Sequence, residues 1–220
     1  MNKHLFLDCY SLSTELLSNV ENMQTLLNEI NKLLFQDKGK ITLIPYFKGK
    51  IKQDGGVSGI ILGNNSHFTC HTFCYKNTMF VDYFGTIDNH EHTKKLVLKY
   101  FPTKDIDLCE QNTKDEGNFG KHIIVRNSNL ITFKEGKELI ERILTDINMT
   151  PINNVIENYV DTNHFDLLQP IAESHISIHR NGEEMMIDIF SCKWFDEEKL
   201  QRLLNVKEYT KVRRGIKYKQ

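Results

Sequence analysis

The chain contains itself twice. Ser66-His67-Phe68-Thr69-Cys70-His71 followed by Met79-Phe80-Val81-Asp82-Tyr83-Phe84 returns as Ser174-His175-Ile176-Ser177-Ile178-His179 followed by Met185-Met186-Ile187-Asp188-Ile189-Phe190. Each copy opens on Lys-His and an apolar run, Lys3-His4-Leu5-Phe6-Leu7 and Lys121-His122-Ile123-Ile124-Val125. A duplication constrains architecture more than any propensity, because both copies must solve the same packing problem.

Within each copy the periodicities alternate. Leu16, Val20, Met23, Leu26, Leu27 and Ile30 recur at helical spacing, as do Leu139, Ile140, Ile143 and Leu144. The Ser-His segments have period two, so Ser66, Phe68 and Cys70 face one way and His67, Thr69 and His71 the other. A second apolar strand follows across a short link containing Lys76-Asn77 or Asn181-Gly182, which reads as a hairpin. A second helix is predicted around His92–Tyr100 and Asp196–Leu204, and each half closes on a short extended stretch. The predicted order is β-α-β-β-α-β in each repeat, an α+β class. Each sheet would have helices on one face. The expected arrangement is a four-layer α/β/β/α sandwich, with the repeats related by a pseudo-two-fold. The expected boundaries are a repeat over 1–109, a polar linker over 110–118 and a repeat over 119–220.

Lys and Arg total 28 against 29 Asp and Glu, a formal net charge of -1. That balance argues against a nucleic-acid clamp or a polybasic membrane binder, since both need a surplus of cations. No apolar run approaches the ~20 residues of a spanning helix and the N-terminus lacks a signal-like stretch, so a cytoplasmic protein is expected. Five cysteines, Cys9, Cys70, Cys74, Cys109 and Cys192, are an odd number and are expected as reduced thiols. A zinc reading of His67, Cys70, His71 and Cys74 is disfavoured, because strand alternation sends the histidines and cysteines to opposite faces. The basic run Lys211-Val212-Arg213-Arg214-Gly215-Ile216-Lys217 reads as a solvated terminus.

Ile171-Ala172-Glu173-Ser174-His175-Ile176-Ser177-Ile178-His179, with Asp188-Ile189-Phe190-Ser191-Cys192 downstream, resembles the signature of the S-adenosylmethionine decarboxylases, pyruvoyl-dependent enzymes of spermidine synthesis. Gly56-Val57-Ser58-Gly59, with Ser58 eight residues before Ser66, is a further element of that signature in the first half. The resemblance covers nearly the whole chain, once per half, and is to the fused two-repeat form of the family.

What it implies about residues is asymmetric. The serine after the glutamate becomes the pyruvoyl group, which places it at Ser174, with chain cleavage at Glu173-Ser174. The downstream cysteine that donates a proton in decarboxylation corresponds to Cys192. The serine and histidine that support self-cleavage from the opposite half correspond to Ser58 and His71. The second half has Asp166 where the supporting serine would stand, while the first half has Asn65 for the glutamate and Thr86 for the cysteine. One complete site can thus be assembled from two incomplete halves. His179 matches the linear motif but is aimed by two-fold logic at the degenerate side; it is a relic or structural residue, with a role as the processing base as the minority alternative to His71.

These residue types suit the chemistry. Attack of the Ser174 hydroxyl on the Glu173 carbonyl needs a donor for the developing oxyanion, for which Ser58 is the match. A base must then take the Ser174 α-proton, and an imidazole suits that step near neutral pH. The pyruvoyl ketone would form a Schiff base with the substrate amine and act as the electron sink, with no metal. Cys192 would protonate the α-carbon. For the substrate, Phe73 could supply an aromatic face. Tyr75 stands where the family has a ribose-holding glutamate, and Lys52 where an aromatic is expected. A related enzyme acting on arginine or ornithine is therefore an alternative, and a non-catalytic paralogue regulating an active partner is a third reading. The expected partner is a small molecule, with no nucleic acid and no membrane; homo-oligomerisation is left open.

Overall fold

The computed structural model describes residues 3–47, 55–109, 111–112, 118–126, 129–172 and 174–217. Most of the polar connector, together with Lys52 and Glu173, lies outside them. The chain divides into two compact units, Met1–Cys109 and Glu110–Gln220. Among the described residues no helix is long and apolar enough to cross a membrane.

The first unit runs β1 (Lys3–Cys9), α1 (Thr14–Leu17), α2 (Val20–Phe35), β2 (Lys40–Phe47), β3 (Gly55–Gly63), β4 (Ser66–Phe73), β5 (Thr78–Gly85), α3 (His90–Tyr100) and β6 (Ile106–Leu108). The second runs β7 (Gln111–Asn112), β8 (Lys121–Arg126), α4 (Phe133–Asp146), β9 (Ile156–Asp161), β10 (His164–Ile171), β11 (Ser174–Asn181), β12 (Glu184–Ser191), α5 (Glu197–Leu204) and β13 (Thr210–Val212). The class is α+β and the repeat is real. The sheets are ordered β2-β3-β4-β5-β1-β6 and β7-β13-β8-β12-β11-β10-β9. Read from its other edge, the second sheet repeats the first strand for strand and adds β7.

Each repeat carries two strands more than the sequence pattern suggests, β2 and β3 in one and β9 and β10 in the other. The physical reasons are local. β3 contains Gly55, Gly56, Gly59 and Gly63, which weaken any strand signal. β9 is an edge strand whose residues are mostly exposed, so it lacks an apolar rhythm. Within the expected linker, Gln111 and Asn112 are not loop but pair with Val212 and Lys211 of β13.

The helices form where capping and apolar spacing agree. Asn19 caps α2 by accepting the Asn22 N–H, and Met23, Leu26, Leu27, Ile30 and Leu34 bury one stripe. α4 opens on a capping box between Thr132 and Glu135, whose backbone and hydroxyl bonds hold the Glu135 carboxyl below its usual range. Asp196 caps α5 by accepting the Lys199 N–H.

In the first unit these stripes pack on Leu5, Leu7, Cys9, Phe68, Cys70, Met79, Val81 and Tyr83, one face of the sheet. In the second, Ile123, Val125, Ile176, Ile178, Ile187 and Ile189 do the same. The alternate residues of the same strands are also buried but are polar in part: His67, Thr69, His71 and Asp82, then His122, His175, Ser177, His179 and Asp188. Buried polar side chains at this density need hydrogen-bond partners, and those partners define the site.

Candidate active site

Strand register makes the first pair. β3 and β4 place Ser58 directly opposite His71, and Ser58 Oγ lies 2.9 Å from His71 Nδ1. His71 is 2% exposed. The second unit has the same pair with one change. β10 and β11 oppose Asp166 and His179, and His179 Nδ1 donates to Asp166 Oδ1 at 2.7 Å, while Asn158 Nδ2 donates to Asp166 Oδ2 at 3.2 Å. The aspartate standing in for the supporting serine is thus a satisfied partner of His179. His179 also sits five residues along β11 from Ser174, ~17 Å at the usual strand rise, so it does not reach that serine within its own strand.

Ser174 is the first residue of β11. It is held between Ile171 of β10 and Ser191 of β12, and it is 1% exposed. Its backbone adopts φ +152°, a region that residues with a Cβ rarely occupy, and the ladders on both sides keep it there. Its hydroxyl is buried and has no hydrogen-bond partner among the described residues. The matching serine of the first half behaves differently. There the left-handed residue is Asn65 at φ +48°, and Ser66 donates its hydroxyl to the Asn64 carbonyl at 3.1 Å. One half has an ordinary turn; the other concentrates strain on the serine itself.

Cys192 directly follows β12, one residue beyond the register partner of Ser174, and is a partly exposed thiol outside any disulfide. Gly120 packs against this point at φ +150°, where a Cβ would fall 2.2 Å from the Ser191 carbonyl oxygen and 2.8 Å from Cys192 Cα. Only glycine fits so close to that backbone. Phe73 is buried edge-on to Phe80 at 5.7 Å between ring centres, whereas Tyr75 is 57% exposed. The two do not share one environment.

The basic tail is not a solvated terminus. Arg214 is fully buried, its guanidinium 4.9 Å from the Phe190 ring centre. Its Nη1 donates to His122 Nδ1 at 3.2 Å, and His122 Nε2 lies 2.8 Å from Asp188 Oδ1. Arginine only donates, so Nδ1 holds the lone pair and Nε2–H donates to Asp188. The tautomer is fixed, and neither nitrogen is left to bind a metal. Lys211 likewise pairs with Glu197 at 3.1 Å. In sequence the signal was weak: a cation in a terminal run, and a Lys-His opening whose histidine had no stated role. We expect Arg214→Ala to cost about 3 kcal/mol in chemical denaturation by stranding the buried His122–Asp188 pair. A loss below about 0.5 kcal/mol would mean that the pair re-solvates without it.

Of the four residues of the zinc reading, Cys70 and Cys74 belong to the helix-facing core, which His67 and His71 do not join. Burial pushes the Cys70 thiol well above its usual range, opposing the thiolate a metal needs.

The model of the S-adenosylmethionine decarboxylase family matches residues 3–112, half of the chain. The chain belongs to that family. Among solved structures it is similar to the crystal structure of the adenosylmethionine decarboxylase from Aquifex aeolicus VF5, at 22% identity over 49% of this chain and 86% of that one, with a TM-score of 0.39. No curated protein matches the chain.

The residues around Ser174 fit a serine-derived pyruvoyl group. The Ser174 hydroxyl is buried with no partner among the described residues, its own backbone is held at φ +152°, and Cys192 follows its register partner Ser191.

Proposed function

We propose that this chain is a self-processing, pyruvoyl-dependent S-adenosylmethionine decarboxylase of polyamine synthesis, working in the cytoplasm on a small-molecule substrate. The observation that carries the reading is Ser174: a buried hydroxyl without a hydrogen-bond partner among the described residues, on a backbone held at φ +152° between two ladders.

In this reading the Ser174 hydroxyl attacks the Glu173 carbonyl, the peptide bond yields to an ester, and loss of the Ser174 α-proton expels the Glu173 carboxylate and leaves dehydroalanine, whose imine tautomer takes up water and releases ammonia to give the pyruvoyl group. Ser58 and His71 of the first unit serve that bond. Their hydrogen bond suits both tasks in one tautomer. With Nδ1–H donating to Ser58 Oγ, the basic lone pair of the ring sits on Nε2, the atom that takes the α-proton in this reading, and the Ser58 O–H is the donor toward the oxyanion. The His179–Asp166 pair brings no hydroxyl, which supports a structural role for it. The pyruvoyl ketone supplies the electron sink for loss of carbon dioxide. Cys192 delivers a proton to the substrate α-carbon and is left as a thiolate.

A second reading, a pyruvoyl enzyme of arginine or ornithine, is favoured by one observation. Tyr75 stands at the family's ribose-holding position and is 57% exposed. Intact-mass measurement of the purified protein, followed by carbon dioxide release, decides. The leading reading expects fragments of residues 1–173 and 174–220 and release from S-adenosylmethionine. Release from arginine or ornithine alone moves the substrate assignment. A permanently uncut chain rejects pyruvoyl catalysis and leaves the regulatory paralogue.

A further inference from the structure

Along β12 the alternation that buries Ile187 and Ile189 against the helices calls for a third apolar residue at position 191. The residue there is serine, and it is 0% exposed. A buried hydroxyl in an apolar row costs free energy unless it is bonded, and this one is bonded twice to Lys193, with Met149 Sδ a further acceptor at 3.5 Å. Ser191 Oγ accepts the Lys193 N–H at 3.0 Å and donates to the Lys193 carbonyl at 2.8 Å. The side chain thereby closes a ring around the intervening residue, Cys192. The ring is braced from outside. Lys193 Nζ donates to the Asn148 carbonyl at 2.6 Å just beyond α4, and Gly120 lies against the Ser191 carbonyl and Cys192 Cα.

The first repeat supplies an internal comparison. Counting from the shared Asp82 and Asp188, the places of Ser191 and Cys192 are taken by Gly85 and Thr86. The half without the cysteine has no side chain at the preceding position, so it cannot form the ring. Of the two repeats, the one with the thiol has the ring and the one without it does not.

We propose that Ser191 is a positioning residue that fixes the orientation of the Cys192 thiol for proton delivery. This rests on the decarboxylase reading given above. A proton donor works only within hydrogen-bond reach of the reacting carbon, and a displacement of about 1 Å can cost up to ~100-fold in rate. Ser191 touches no reacting atom; it acts through the backbone of Cys192.

The test is Ser191→Ala, with Ser191→Thr as the variant that keeps the hydroxyl. Both should be cut at Glu173-Ser174 as the parent is. Ser191→Ala should keep KM within about twofold and lose about tenfold or more in kcat. Its Cys192 should be alkylated by iodoacetamide several times faster or slower than in the parent, read from the mass of the Cys192 peptide. Ser191→Thr should restore both values toward the parent. Parent-like kcat and alkylation in Ser191→Ala overturn the proposal, and so does a fall in kcat with an unchanged alkylation rate. A soluble but uncut Ser191→Ala overturns it as well, by showing that Ser191 acts on Ser174. If the parent itself is never cut, the decarboxylase reading has failed instead. The alkylation comparison on the uncut chain still reports whether the ring holds the thiol.

Discussion

Replacing Ser174 by alanine should leave the purified protein as one polypeptide of 25.8 kDa, where the proposed processing would divide the parent into residues 1–173 and 174–220. The effect should be all or none, because the hydroxyl that attacks belongs to the residue that becomes the new amino terminus, and Ser191, its register partner, has its own hydroxyl bonded to Lys193. Intact mass reads the outcome, and an Ser174→Ala chain that is still cut at the same bond removes the serine from the mechanism. The same position tests the strain. At ordinary strand positions glycine is less stable than alanine by roughly 0.5–1 kcal/mol. At φ +152° the order should reverse, since a Cβ there costs of order 1–3 kcal/mol and glycine avoids it. Uncut Ser174→Gly is therefore expected to melt about 2–4 °C or more above uncut Ser174→Ala. Equal melting, or alanine above glycine, removes the strain from the account.

The second large effect belongs to Cys192. Cys192→Ala should be cut normally, since the thiol has no part in attack on Glu173 or in loss of the α-proton. Turnover should then fall by about 10²–10⁴, the usual range for a lost general acid, with water as a slow substitute. Steady-state carbon dioxide release from fully cut protein is the measurement. Parent-like turnover withdraws the donor assignment and with it the role given to Ser191.

The two halves explain what could be read without a structure. Period-two segments such as Ser66–His71 and three-four spacing in α2 announced themselves, because one face of each is apolar and the core enforces it. β3 was hidden by its glycines and β9 by exposure at a sheet edge, where no core disciplines the residue choice. The Ser58–His71 pair was legible as two motif residues, and cross-strand register turned their spacing into a hydrogen bond. Asp166 was legible only as a loss. That it is the buried acceptor for His179 depends on Asn158 and on register, neither of which a linear pattern encodes. Arg214 was misread because terminal cations are usually solvated, and its burial depends on meeting Phe190 and, 92 residues earlier in the chain, His122. Ser191 carried a signal that was overlooked, a hydroxyl in an isoleucine row.

The placement of Ser174 also bears on what becomes of the protein afterwards. The proposed break falls immediately before Ser174, the first residue of β11. The piece beginning at 174 retains β11, β12, α5 and β13, and β11 stays laced to β10 along one flank and to β12 along the other. Scission therefore severs a connection without dismantling a layer, and the two polypeptides should copurify and unfold as a single body until denaturant parts them.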